Sequence, residues 1–253
     1  MPTVDDALTS PPTPWPGTAA RAEGRTLRFG HMGCHAVVPG NTIASIEHAA
    51  TLGVDVVEFD ALPDGRGGLR LAHDPVDLAA RPDAPTMAEA LDRLCEPDLA
   101  HLGINLDSKV PGDEAAIVAA LRDRDLVGRT LVSSTETATL RALRAVDPGV
   151  RIGRSVPKVS RDWSQIRWAR VPVAGAILGL RRALPRILVR ELRTGRIDAV
   201  MAHWSLITPS FARAVTAAGE LYVWTVDDAD RADAIRACGV TGVTSNDPRL
   251  LRW

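Results

Sequence analysis

Two histidines and three carboxylates in this chain have the types and spacing for acid–base and metal chemistry. His31 ends the run TLRFGH, Glu58 and Asp60 close VDVVEFD, His73 stands near the end of GLRLAHD, and Asp107 lies in GINLDSK with Lys109 two residues on. On an extended strand residues at i and i+2 point to one face, so Glu58 and Asp60 project together, as do Asp107 and Lys109. Three carboxylates without a paired histidine or cysteine suit Mg²⁺ or Ca²⁺ better than Zn²⁺. Such an ion could grip a phosphoryl oxygen and offset charge developing during displacement. Lys109 could neutralise a second oxygen as a point charge, and two histidines suit a base and an acid on opposite sides of a phosphorus. Each residue also has a plainer reading. A lone carboxylate or histidine at a strand end is commonly solvated or ion-paired, and Asp107 with Lys109 could be a simple salt bridge. The conjunction from successive strands argues for a metal-dependent hydrolytic site.

The elements that must position these groups are short apolar strands alternating with helical patterns. Strands are expected at 26–31, 54–60, 103–109, 130–134, 150–155, 197–203, 220–228 and 240–246, with helices near 41–52, 86–95, 113–125, 136–146, 208–218 and 229–237. The stretch 54–60, VDVVEFD, reads as an apolar run rather than a strict alternation, as in a strand buried on both faces. Residues 68–74 alternate and join it through Pro63–Gly68 as a hairpin excursion. Eight strands alternating with helices predict an α/β fold, a closed (β/α)8 TIM barrel with a small hairpin insertion after strand 2. An open doubly wound sheet is the alternative, but no Gly-x-Gly-x-x-Gly turn follows the first strand. In a barrel, chemistry gathers at the carboxyl ends of the strands, where these residues stand.

The 253 residues are 45% hydrophobic and 24% charged, with a net charge of −1, which gives no whole-molecule signal for nucleic acid. Three scattered cysteines, Cys34, Cys95 and Cys238, argue against a disulfide framework or a zinc site and fit a reducing cytosol. Residues 1–24 are acidic, then rich in Pro and Thr, and lack the basic-then-apolar order of a signal peptide. They read as an irregular N-terminal arm ahead of a single domain at 25–253. The apolar stretch 171–180 is too short to span a bilayer.

The motifs resemble those of the glycerophosphodiester phosphodiesterase family. Its His-Arg-Gly start corresponds to His31-Met32-Gly33, its Pro-Glu-Asn-Thr to Pro39-Gly40-Asn41-Thr42, and its Glu-x-Asp to Glu58-Phe59-Asp60. His73-Asp74 follows, and Asn105-Leu106-Asp107-Ser108-Lys109 resembles Asn-Ile-Glu-Ile-Lys. Val223-Trp224-Thr225-Val226 and Gly239–Asn246 match the late strands, so the likeness covers about residues 26–251. The resemblance implies a TIM barrel with His31 and His73 as the acid–base pair. It implies Glu58, Asp60 and Asp107 as ligands of a divalent cation, Lys109 near the phosphate, and Trp224 lining the alcohol pocket. It further implies that a substrate hydroxyl attacks phosphorus to give a cyclic intermediate, which water then opens. The substrates implied are small glycerophosphodiesters or lysophospholipid-like esters.

Three positions depart from the motifs: Met32 stands for Arg, Gly40 for Glu, and Asp107 for Glu. A methionine cannot hydrogen-bond an anion as arginine does. A His-Met start also occurs in sphingomyelinase D-like lipases on the same barrel, which form the alternative, although the Asp64–Gly68 turn follows the hydrolase pattern more closely. A relative that kept the barrel as a binding protein and lost turnover is the other alternative.

Residues 154–196 hold eleven Lys and Arg against Asp162 and Glu191, a local +9 that leaves −10 for the rest of the chain. Trp163, Trp168 and the apolar stretch are interleaved with them. This connection is expected to act as a basic lid or a peripheral membrane contact. The plainer reading is an ordinary helix whose arginines are solvated or pair with the acidic barrel.

Overall fold

The computed structural model describes residues 14–158 and 170–253. In chain order the elements are α1 (Pro16–Glu23), β1 (Leu27–Gly30), α2 (Ile43–Thr51), β2 (Val56–Pro63), β3 (Leu69–Arg70), α3 (Pro75–Ala80), α4 (Met87–Leu94), β4 (Gly103–Ser108) and α5 (Glu114–Arg122). There follow β5 (Thr130–Ser134), α6 (Thr137–Val146), β6 (Arg151–Val156), α7 (Arg170–Arg193), β7 (Ala199–His203), α8 (Pro209–Thr216), β8 (Glu220–Trp224), α9 (Ala229–Arg236) and β9 (Gly242–Ser245). Eight of these strands pair in parallel, and the sheet closes because β1 pairs with both β9 and β2. The short β3 pairs antiparallel with the end of β2, which is the expected hairpin excursion. The fold is therefore the expected TIM barrel.

Strand alternation sorts the apolar residues into two cores. Leu27, Phe29, Val56, Leu131, Ala199, Met201 and Tyr222 fill the barrel interior, while Val57, Phe59, Ile104, Leu106, Val132 and Val200 face the helices. On β2 the inward set is Val56, Glu58 and Asp60, so the period of two that buries Val56 also carries both carboxylates toward the mouth. The register places Asp60 beside Asp107 and Glu58 beside Asn105. Asp107 in turn lies beside Ser133.

The arm expected to be irregular is in part a plug. Residues 1–13 lie outside the described residues, but Pro16–Glu23 form α1, with Pro at the first turn and Gly24 as a left-handed C-cap. Ahead of it, Trp15 packs edge-on against Phe29 and Tyr222 at 6.2 and 5.9 Å inside the barrel. Its indole N–H lies 3.0 Å from Glu220 Oε2. Arg151 pairs with the other Glu220 oxygen at 2.8 Å, so the buried carboxylate is compensated. Interior side chains at the amino ends of the strands would otherwise face water, and the indole covers them.

The basic connection also has structure. Its residues 159–169 lie outside the described residues, and Arg170–Arg193 form α7, which packs on α8. Arg154 pairs with Glu191 at 2.6 Å, and Arg181 donates to the Ser205 carbonyl at 2.9 and 2.7 Å. No helix among the described residues is long and apolar enough to cross a membrane.

Candidate active site

The loop after β1 folds over the end of β2. His31 donates its backbone N–H to the Ser245 carbonyl at 2.9 Å, and Gly33 donates to the Glu58 carbonyl at 2.8 Å. Gly33 has φ of +81°, and a Cβ there would lie 2.4 Å from Ser45 Oγ, so the motif glycine answers both a left-handed backbone and close approach to α2. Met32 is also left-handed, at φ 48°, and its N–H donates to Glu58 Oε2 at 2.7 Å. The backbone of Met32 therefore does work that does not depend on the side chain. Two departures from the family motifs meet here. A Cβ on Gly40 would lie 2.8 Å from the Met32 Cβ and 2.7 Å from His35 Nδ1.

Within this frame the charged groups form one connected cluster. Lys109 Nζ lies 2.6 Å from Asp60 Oδ1 and 2.6 Å from Asp107 Oδ2. Ser133 donates to the other Asp107 oxygen at 2.6 Å. Asn41 Nδ2 donates to Asp60 Oδ2 at 2.8 Å, and Asn41 Oδ1 accepts the Asp60 N–H at 3.0 Å. His31 Nε2 stands 3.9 Å from Glu58 Oε2.

Electrostatics follow from burial and from a shortage of positive charge. Burial, with repulsion from Asp60 and Asp107, pushes the Glu58 carboxyl well above the usual range despite Lys109. Burial works against the Asp60 charge too, but Lys109, His31 and Asn41 outweigh it and hold that carboxyl low. Lys109 loses hydration on burial, yet Asp107, Asp60 and Glu58 hold its ammonium charged. Burial lowers His31, so its ring favours the neutral form.

Three carboxylates, the ligand type that hard divalent cations take, share one ammonium here, and Glu58 favours its proton. Among the described residues no group of three or more His, Cys, Asp or Glu is arranged as a ready metal cage. Lys109 occupies the space between two of the three carboxylates, and an incoming ion would share them with it.

His73 lies at the rim. Its side chain is 51% exposed and pairs with Asp74 at 3.3 Å. No hydrogen bond or ion pair among the described residues joins His73 directly to the cluster. The link runs through residues that sequence reasoning passed over. His73 donates its backbone N–H to Asp77 at 3.0 Å, Asp77 accepts from Arg81 at 2.7 Å, and Arg81 reaches the Asn41 carbonyl at 3.3 Å. Asn41 then holds Asp60. The unexpected helix α3 carries this link, capped by Asp74 with Pro75 at its first turn. That Asp-Pro start, and the Asp77–Arg81 spacing of four, are legible signals.

Trp224 ends β8, edge-on to His203 at 5.2 Å. Its buried indole N–H finds no hydrogen-bond partner among the described residues. Trp204 lies 5.3 Å beyond His203, with the Arg231 guanidinium 4.1 Å over its ring.

No protein-family profile matches the chain. It is similar to a curated glycerophosphodiester phosphodiesterase from Caldanaerobacter subterraneus subsp. tengcongensis, 23% identical over 262 residues that cover 90% of this chain and 96% of the relative. Among solved structures, it resembles a glycerophosphodiester phosphodiesterase from Parabacteroides distasonis with TM-score 0.69 and 17% identity, covering 90% of this chain and 95% of the other. It also resembles a phosphodiesterase from Oleispira antarctica in complex with the product sn-glycerol-3-phosphate, with TM-score 0.68, 20% identity, and 92% and 97% of the two chains covered. The resemblance read from the motifs thus extends to a relative and to barrels of the same architecture.

Proposed function

We propose that this protein is a metal-dependent phosphodiester hydrolase that cleaves glycerophosphodiesters or lysophospholipid-like esters by acid–base catalysis with His31 and His73. The observation that carries this reading is the convergence of His31, Glu58, Asp60, Asp107 and Lys109 at the carboxyl ends of three neighbouring strands, with more buried carboxylates than cations. The similarity to glycerophosphodiester phosphodiesterases adds to it.

Glu58, Asp60 and Asp107 would hold Mg²⁺ or Ca²⁺, which when bound supplies Lewis-acid charge for a non-bridging phosphoryl oxygen. Lys109 binds the phosphate from the same face as a point charge. His31, kept neutral by burial, takes the proton of the attacking hydroxyl at Nε2. His73, at the rim, gives a proton to the departing alcohol oxygen. Trp224, at the end of β8, offers the alcohol an aromatic surface.

The test is hydrolysis of a panel of glycerophosphodiesters and lysophospholipids with Mg²⁺, Ca²⁺ or a chelator, beside His31→Ala. Turnover that ignores both chelation and that substitution would overturn the mechanism.

The reading includes a peripheral contact with anionic lipid through α7. Arg182, Arg186, Arg190 and Arg193 are exposed along one helix face, and Leu178 and Ile187 flank them with 48% exposure each. Arginines beside apolar side chains suit an anionic interface. Co-sedimentation with anionic vesicles at low and high salt tests it, and absence of binding at low salt would remove it.

A further inference from the structure

We propose that Asp227 is a positioning residue that sets the ring tautomer of His31 through Asn246. The inference rests on His31 as an acid–base group and names what aims it. Asp227 lies just beyond β8 and Asn246 just beyond β9, and the two loops are tied by the Val226 N–H donating to the Thr244 carbonyl at 2.9 Å.

The argument is one of donors and acceptors. The Asp227 carboxylate only accepts. It takes the Asn246 backbone N–H on Oδ1 at 2.8 Å and the Asn246 side-chain amide on Oδ2 at 2.6 Å. The Ser245 hydroxyl lies 3.1 Å from Oδ1. An acceptor in that place leaves the Asn246 amide one satisfied orientation, with its NH₂ toward Asp227. The Asn246 Oδ1 then faces His31 Nδ1, at 2.7 Å. A carbonyl oxygen cannot donate, so the neutral His31 ring must carry its proton on Nδ1. Its lone pair is thereby placed on Nε2, the nitrogen that looks into the mouth toward Glu58 at 3.9 Å. The orientation of an amide and the tautomer of a histidine are each ambiguous alone. Here one exposed carboxylate resolves both.

Replacing Asp227 with asparagine removes the constraint, because an amide can donate or accept. Asn246 can then turn its NH₂ to His31, which favours the opposite tautomer. The reciprocal exchange restores the logic. In the double variant Asp227→Asn/Asn246→Asp, the residue 227 amide donates to the new carboxylate, whose other oxygen accepts from His31 Nδ1–H.

The tautomer is read directly by long-range ¹H–¹⁵N correlation on the full chain labelled at histidine, at a pH where the His31 ring is neutral. The expected result is a pyrrole-type Nδ1 and a pyridine-type Nε2 in the wild-type protein, and a mixture or inversion in Asp227→Asn. The substitution should lower kcat on the order of tenfold or more while KM moves little, since only proton transfer is misaligned. The double variant should recover the wild-type tautomer and most of the lost kcat. A wild-type ring protonated on Nε2, or a tautomer indifferent to Asp227→Asn, would overturn the proposal. A protein that shows the stated tautomers but hydrolyses no phosphodiester would instead overturn the proposed function.

Discussion

Lys109 Nζ sits 2.6 Å from Asp60 Oδ1, a carboxylate whose side chain is fully buried, and the same distance from Asp107 Oδ2. One ammonium thus does for two neighbouring strands what a metal ion does when it bridges carboxylates. No other ion pair reaches Asp60 or Asp107 among the described residues. Removing one partner of a buried ion pair leaves uncompensated charge, at a cost of about 3–5 kcal/mol. Lys109→Met should therefore lower the melting temperature, and adding Mg²⁺ or Ca²⁺ should raise that of the variant more than that of the wild type. Differential scanning fluorimetry with and without the ion measures both. A variant as stable as the wild type would show that the lysine is not what balances the carboxylates.

Asn41 is buried, left-handed at φ 54°, and bonded twice to Asp60. Asparagine tolerates that backbone better than most residues. Asn41→Gly keeps the backbone at ease and removes the side chain, including its bond to a charged carboxylate, worth about 1.5–3 kcal/mol. Asn41→Ala removes the same bond and adds left-handed strain of about 1 kcal/mol. Urea denaturation should rank the wild type above Asn41→Gly, and Asn41→Gly above Asn41→Ala. Equal stability of the two variants would mean that strain plays no part.

The two histidines differ in what they cost the fold. His31→Ala and His73→Ala should each lower kcat by about 10²–10⁴-fold, the usual contribution of a positioned acid or base. His31 is mostly covered and bonded to Asn246, whereas His73 is half exposed, so only His31→Ala should shift the melting temperature appreciably. Steady-state kinetics beside thermal melts separates the two effects. A His73→Ala variant with full kcat would remove the rim histidine from the chemistry.

The barrel was legible because each strand repeats a local pattern, an apolar run followed by a polar group, and eight such runs leave few topologies. Glu58 and Asp60 were legible for the same reason, since a period of two needs no tertiary information. Asn41 and Asp227 were not, because the partners that define their roles lie 19 residues along the chain. Thr42 caps α2, whereas the side chain of its neighbour Asn41 is committed to Asp60, 19 residues on. Asp227 reads as a loop acid until β9 is known to bring Asn246 beside it. The plug is hidden by composition: the prolines and threonines of residues 1–24 mask a short helix that Pro16 opens and Gly24 closes.

That plug gives the last test. Trp15 is 4% exposed and meets Phe29 and Tyr222 inside the barrel, with its N–H shared between Glu220 and the Tyr222 hydroxyl. Truncating a buried tryptophan to alanine costs about 3–5 kcal/mol. Trp15→Phe keeps most of the apolar contact but leaves Glu220 with one donor fewer, so its loss should be nearer the roughly 1–3 kcal/mol of an unmet buried polar group. Both variants lie at the end of the barrel opposite the mouth, so kcat per folded molecule should hold while the melting temperature falls. If Trp15→Ala melted like the wild type, residues 14–24 would be an arm resting on the barrel, as composition alone suggested, and its interior would be stable without them.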